Sequence, residues 1–202
     1  MPAGPFVNPY TPAQEQAEDA YKSALGHAAS LAGLNIIRFV KEPIAAAMAY
    51  GLDGPEDSYE EKTVLVYDCG GNSLTVTLMI VEQGVFEVIA SERAEIDVGE
   101  LLTNLGGMDR NMTMTRKDFE VQNHFLVQGT LGILRKVLLA ANVTWDKLDD
   151  VIVVGGSGKI PMVRRTVERH LARENQTVTD GAVDPAEAMV YGAVVTAMVS
   201  ED

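Results

Sequence analysis

Residues 62–96 read KTVLVYDCGGNSLTVTLMIVEQGVFEVIASERAEI and decide the fold of this 202-residue chain. Three β-branched and apolar runs in this stretch are joined by the turn CGGN and by the dipeptide QG, which is the pattern of an antiparallel meander. The turn at residues 70–72 is unusually rich in glycine for a plain hairpin. The sequence therefore predicts three consecutive antiparallel strands over residues 63–96.

A second strand pattern with a glycine-rich turn lies nearer the carboxyl end of the chain. The run VIVV at residues 151–154 is apolar enough to be a buried strand, and GGSGK follows it at residues 155–159. Pro161 then opens the helical pattern PMVRRTVERHLARE. This order of strand, glycine turn and helix is the arrangement that brings backbone N–H groups toward an anion.

Helical patterns occupy much of the remaining chain, and capping or breaking residues bound them. They cover residues 11–34, 43–51, 116–141 and 185–199. The last pattern is almost wholly small or apolar, so we expect that helix to be buried. A short β-branched run at residues 36–40 predicts one more strand. Residues 53–62 and 97–116 have no sustained period, and we expect loops there, with one short strand in the second.

Composition and charge favour an ordinary globular chain, with 47% hydrophobic and 22% charged residues. The net charge of −13 repels phosphate backbones and anionic surfaces, so we expect neither nucleic acid nor a membrane as a partner. The sequence shows no secretory signal and no run long enough to span a bilayer. The single cysteine, Cys69, cannot form an internal disulfide, which predicts a reducing, cytoplasmic location.

Four segments, in this order, resemble signature sequences of the seventy-kilodalton heat-shock (DnaK-type) chaperone family. They are NIIRFVKEPIAAAMAYGLDG, VLVYDCGGNSLTVTLMIVEQGVFEVIAS, IVVGGSGKIPMVRRTVERHL and DPAEAMVYGAVVTAMV. The resemblance implies an α/β fold of the actin-like ATPase (ribonuclease-H-like) type, with a mixed central sheet flanked by helices. All four segments match the family's second lobe, so we expect one such domain over residues 11–200, after an irregular segment at residues 1–10.

The resemblance implies that the first glycine turn is a phosphate loop for ATP or ADP. The residues that would face the phosphates are Asp68, Gly70, Gly71 and Ser73. Glycines let backbone amides approach the phosphates, and Asp68 would act through Mg²⁺ and its waters, which makes it the predicted metal residue. Where the family has a third glycine and an aspartate, this chain has Asn72 and Thr75, so we expect reduced affinity for a triphosphate. The residues alone leave a tight hairpin preceded by an aspartate equally open.

The second glycine turn matches the family's adenosine-contacting turn. The residues that would face the adenosine are Gly155, Gly156, Ser157 and Lys159. Lys159 stands where an arginine is usual, and it keeps the charge but loses the planar stacking surface, so we expect a weaker contact with the base. The residues alone also allow a mere strand-to-helix turn.

Other acidic residues and the missing family elements limit what this chain is expected to do. Glu42 matches a hinge glutamate that helps to organise magnesium in the family, although an acid at a helix start is more simply a dipole partner. Asp184 and Glu187 are interpreted in the same way, as first-turn acids of the last helix. Nothing resembles the family's first phosphate loop or catalytic lysine, and the helical adenine clamp is expected to be absent after Gly99. We therefore expect hydrolysis to be lost or very weak.

Two functions stay open from the sequence. The first is a degenerate member of the chaperone family that binds ATP or ADP with Mg²⁺ weakly, in a protein-folding context. The second is a non-catalytic interaction module that binds a co-chaperone, a nucleotide-exchange factor or another protein subunit, and it predicts an exposed apolar surface. A truncated product without a function of its own is a third possibility.

Overall fold

A computed structural model of the protein describes residues 12–52, 60–95, 115–181 and 183–199. The helices in these ranges are α1 (Pro12–Leu31), α2 (Glu42–Ala49), α3 (Arg116–Ala141), α4 (Pro161–Arg173) and α5 (Ala188–Val199). The strands are β1 (Lys62–Cys69), β2 (Ser73–Glu82), β3 (Val85–Glu95) and β4 (Asp150–Val154). Short 3₁₀ helices lie at Trp145–Lys147 and Gly156–Lys159. The predictions for residues 1–10, for residues 53–59 and for most of 97–116 lie outside the described residues.

The described strands form a mixed sheet in the order β3-β2-β1-β4. Strand β2 pairs antiparallel with both β1 and β3, and β4 pairs parallel with β1. The β2–β3 hairpin turns at Gln83 and Gly84, whose φ angles of 49° and 73° are those of a two-residue turn that suits the twist of antiparallel strands. The predicted meander and the mixed sheet flanked by helices are both confirmed.

Helices cover both faces of the sheet, because successive side chains of a strand point to opposite sides. On one face, Leu65, Tyr67 and Val153 are among the buried residues that pack under α3 and α4. On the other face, Val66 and Ile152 pack under α2 and α5. Every residue of β4 after Asp150 is buried, as expected for a parallel strand covered on both sides.

Helices α2 and α5 approach each other closely, because small residues face one another where they cross. A Cβ atom built on Gly192 would lie 1.6 Å from the carbonyl oxygen of Ala45. The Thr196 hydroxyl donates to the sulfur of Met48 at 2.9 Å in the same contact. The prediction that the last helix is buried is only half right, since its outer face is exposed at Val190, Tyr191, Val194 and Met198.

Residues 34–40 form no strand, so the prediction of one at residues 36–40 is wrong. The β-branched composition of this run gives it strand propensity, but a strand also needs a neighbour to pair its N–H and C=O groups. Within the described residues no strand lies beside it. Its apolar side chains, among them Ile37 and Phe39, are exposed.

The predicted long helix over residues 116–141 is confirmed as α3. A capping box starts it: the Thr115 side chain accepts from the backbone N–H of Asp118, whose carboxylate accepts from the N–H of Thr115. In the part of the chain that the structure describes, α3 is the one helix long and apolar enough to cross a membrane, by length and composition alone. Core helices pass the same test, and α3 packs on the sheet through Leu134 and Val137. The expectation of no membrane partner stays a prediction.

The α2–α5 contact predicts opposite effects for two glycine-to-alanine substitutions. We expect Gly192→Ala to lower the free energy of unfolding by about 2–3 kcal/mol, because the methyl group would collide with the backbone of Ala45. A Cβ on Gly132, in α3, would have no heavy atom within 4 Å, so we expect Gly132→Ala to raise it by about 0.5–1 kcal/mol. Urea unfolding followed by circular dichroism measures both, and equal midpoints for the two variants would contradict the packing.

Candidate functional site

The two glycine turns lie side by side at one edge of the sheet. Strands β1 and β4 are parallel neighbours, and Asp68 is paired with Val154, so the segments that follow them leave the sheet together. A Cβ built on Gly155 would lie 2.4 Å from the carbonyl oxygen of Cys69 and 2.6 Å from Oδ1 of Asp68. The carboxyl ends of parallel strands are where α/β sheets bind ligands. The structure thus brings the predicted phosphate and adenosine turns into contact with each other.

The first turn is a tight connection between β1 and β2. The N–H of Gly70 donates to the carbonyl oxygen of Ser73 at 2.9 Å, and a Cβ on Gly70 would already lie 3.4 Å from that oxygen. Gly71 differs, because a Cβ there would have no heavy atom within 4 Å. Gly71 and Asn72 are both exposed. A distance of 3.4 Å is an ordinary van der Waals contact, so packing among the described residues requires glycine at neither position 70 nor position 71.

The glycines of the second turn are more tightly constrained than those of the first, with the exception of Gly156. Gly155 has a φ of 85° and donates its N–H to the carbonyl oxygen of Pro185 at 2.9 Å, so its amide is already used. A Cβ on Gly158 would lie 3.2 Å from a methyl group of Val153. Gly156 is exposed and has open space where its Cβ would be. Gly71 and Gly156 are therefore the positions at which an absent side chain leaves room for a ligand.

Lys159 lies differently from the sequence prediction. Its Nζ pairs with Oδ2 of Asp184 at 2.7 Å, and the other carboxylate oxygen of Asp184 accepts from the N–H of Ala186 at 2.9 Å. These hydrogen bonds, with that of Lys159 the largest cause, hold the pKa of Asp184 below its usual value. Helix α5 begins only at Ala188, so the interpretation of Asp184 as a first-turn acid is wrong: this residue connects the second turn to the segment before α5.

Asp68, at the end of β1, is a half-buried carboxylate. Within the described ranges no group donates to its oxygens. Burial raises its pKa above the usual value, the nearby charge of Glu42 raises it further, and Arg93 opposes both effects. A half-buried carboxylate with a raised pKa and a nearby charge partner is a candidate functional group.

Sequence reasoning missed Arg93, which the sheet register places near Asp68. Asp68 is opposite Thr75 in β2, and Thr75 is opposite Arg93 in β3. Glu42, Thr75 and Arg93 also line one cleft of about 940 Å³ between α1, the start of α2 and the open part of the sheet. The sequence patterns predicted that β1, β2 and β3 pair, but they did not give the register of the pairing, which is what places Arg93 in line with Asp68.

Other chemistry has little support in the described residues. No group of three or more His, Cys, Asp or Glu side chains is placed there to hold a metal ion. Cys69 is buried, and burial raises the pKa of its thiol to about 11, which keeps it protonated and unreactive. Of the predicted metal site, the structure therefore shows Asp68 with Glu42 nearby.

A comparison with protein families agrees with the geometry. The family model described as Hsp70 protein matches residues 16–100 and 91–202 of the chain. The matched segments overlap and together include both glycine turns and the whole described sheet.

Two glycines of the second turn allow a test of its geometry. We expect Gly155→Ala to lower the free energy of unfolding by about 2–3 kcal/mol, because the methyl group meets Asp68 and Cys69 and the backbone has a positive φ. Gly156→Ala is the matched control, and we expect a change within about 0.5 kcal/mol. Urea unfolding measures both, and a stable Gly155→Ala variant would show that the two turns do not touch.

The raised pKa of Asp68 predicts an effect of pH on stability. Burial disfavours the charged form of Asp68, so its pKa is higher in the folded state than in the unfolded state. Asp68 therefore contributes to the stability of the folded protein at pH values below its unfolded-state pKa, and this contribution is lost as the pH rises through the folded-state pKa. We expect Asp68→Asn to be more stable than the parent at pH 7, with a difference that shrinks toward pH 4.

Asp118→Asn is the control, and we expect it to change the stability at pH 7 in the opposite direction. Hydrogen bonds from Thr115 lower the pKa of Asp118, so this variant should be less stable than the parent at pH 7. Urea unfolding at a series of pH values measures both variants. An Asp68→Asn protein that is less stable than the parent at pH 7 would contradict the assignment.

Proposed function

The chain belongs to the Hsp70 protein family, and we propose that it binds an adenine nucleotide, ADP or ATP, in a protein-folding context, with very slow hydrolysis or none. Nucleotide binding by a chaperone domain is what the family suggests. One observation supports the proposal for this chain: its two glycine turns meet at the carboxyl ends of the parallel strands β1 and β4. A nucleotide needs contacts at its phosphates and at its adenosine, and adjacent turns can supply both.

The open glycines support the way in which the nucleotide would approach. Gly71 and Gly156 stand one in each turn, both exposed and both without a neighbour that a Cβ would meet. We propose that phosphates approach the first turn near Gly70, Gly71 and Ser73. The adenosine would approach the second turn near Gly156 and Ser157. Gly155 would act through its position alone, since its N–H is bonded to Pro185.

Lys159 would contact the adenosine only after it leaves Asp184. Both partners are well exposed, with side chains 50% and 39% accessible, and exposed ion pairs contribute little stability. A ligand can therefore displace this pair at low cost. The need to displace it, together with the missing planar surface of an arginine, supports weak binding of the base.

Slow hydrolysis is supported by the residues near Asp68. The resemblance places an aspartate where this chain has Thr75, so one carboxylate is replaced by a neutral hydroxyl opposite Asp68. Phosphoryl transfer in nucleotide hydrolases depends on charged groups that position the metal and the attacking water. A chain with fewer of these groups can still bind a nucleotide.

A protein partner is a second candidate function, and the exposed apolar side chains favour it. One group lies at the end of α1 and in the segment after it, and a second lies on the outer face of α5. Their members are Leu31, Leu34, Ile37 and Phe39, and Val190, Tyr191, Val194 and Met198. Clustered exposed apolar residues mark interaction surfaces more often than single ones do. A co-chaperone, an exchange factor or another subunit fits this role, which is compatible with nucleotide binding.

Calorimetric titration with ADP and with ATP tests the proposed function. We expect the parent chain to bind with a dissociation constant on the order of micromolar. We expect Gly71→Asp and Gly156→Asp each to weaken binding about tenfold or more, since each places a carboxylate where the ligand approaches.

Gly132→Asp, on the helix that covers the opposite face of the sheet, adds the same charge away from the turns and should leave binding unchanged. If the parent gives no heat at millimolar nucleotide, the proposal is wrong and the interaction module becomes the better reading. Equal weakening in all three variants would show a general effect of charge, with no specific contact at the turns.

A further inference from the structure

An acid, a hydroxyl and a cation form one row across three neighbouring strands. Asp68 in β1 is opposite Thr75 in β2, which is opposite Arg93 in β3. Directly opposed residues of antiparallel strands have their side chains on the same face, and neighbouring strands are about 4.8 Å apart. Arg93 is thus about 10 Å from Asp68 along the row, with the short Thr75 between them. A guanidinium group can extend over a threonine toward the acid.

Arg93 is available to a ligand. It is exposed, lines the cleft described above, and makes no ion pair or hydrogen bond with any described residue. Lys22, another cation of the cleft, is paired with Glu18 at 2.8 Å. Glu95 follows on the same face of β3, opposite Ser73. Arg93 therefore lies among acids, Asp68, Glu42 and Glu95, without being paired to one.

The same row is a poor site for Mg²⁺, which the family uses with its nucleotide. Magnesium prefers carboxylates and water in an octahedral arrangement. The middle position of this row is a neutral hydroxyl and its far end is a guanidinium group, so the row itself offers a single carboxylate as a ligand. The described residues also contain no cluster of three metal-binding side chains. Asp68, the predicted metal residue, instead shares its row with a cation that the chain itself carries.

We propose that Arg93 supplies the positive charge at the phosphate end of the nucleotide, so that this chain binds ADP without magnesium. The inference rests on the proposed function and adds a specific residue and a cofactor requirement to it. Arginine suits this role, because its planar fork can hold two phosphate oxygens at once and its charge does not depend on pH. Arg93 is opposite Thr75, two residues along β2 from Ser73, so its long side chain lies within reach of the first turn, where the phosphates would lie.

The test is a titration with ADP in excess Mg²⁺ and again in EDTA without Mg²⁺. We expect the parent chain to bind equally well in both, within about threefold. We expect Arg93→Ala to bind at least about tenfold more weakly in EDTA, as loss of a charged hydrogen bond predicts. Arg93→Lys should recover part of that loss. Arg38→Ala is the matched control, since Arg38 lines the same cleft, makes no ion pair among the described residues and lies outside the row.

Each outcome separates the inference from the proposed function. If EDTA abolishes binding by the parent, or if Arg93→Ala and Arg38→Ala behave alike, the inference is wrong while nucleotide binding stands. If the parent binds no ADP in either buffer, the proposed function and the inference are both wrong. Thermal unfolding of each variant shows whether a loss of binding reflects a loss of folding.

Discussion

The parallel pairing of β1 with β4 is the interaction on which the rest of this structure depends. The paired residues Asp68 and Val154 are 86 positions apart in the sequence, and the long helix α3 is part of the crossover between the two strands. Parallel strands need such a crossover, because a short turn can only reverse the chain. The pairing buries both faces of β4 and brings two turns together that no local pattern connects. Without it, each glycine turn would be an ordinary connection.

Much of the fold could be predicted from the sequence, because local patterns carry it. The meander, the long helix α3 and the order of strand, glycine turn and helix depend on residues close in the chain, and all of these predictions are confirmed. The strand predicted at residues 36–40 failed for a physical reason, since propensity does not supply a pairing partner. The prediction that α5 is buried was wrong for its outer face, because an apolar helix is buried only where another element covers it.

The candidate site was harder to predict, because it is defined by distant contacts. Sequence patterns named both turns, but they did not show that Gly155 would press against Asp68 or that Lys159 would pair with Asp184, 25 residues further on. They also missed Arg93, whose relevance comes from a register across three strands. What the sequence names are residue types that suit a chemistry. Packing decides which of these residues come into contact. It also distinguishes glycines that have a structural role from glycines that have open space around them.

The links between the second turn and α5 have a mechanical consequence. Two attachments hold the turn to the segment before this helix: the hydrogen bond from Gly155 to Pro185 and the ion pair from Lys159 to Asp184. Helix α5 packs closely against α2 at the contact between Gly192 and Ala45. The second turn is therefore connected, through the segment before α5, to a pair of closely packed helices, and the outer face of α5 carries exposed apolar residues. If Lys159 leaves Asp184, the backbone hydrogen bond from Gly155 to Pro185 still joins the turn to this segment.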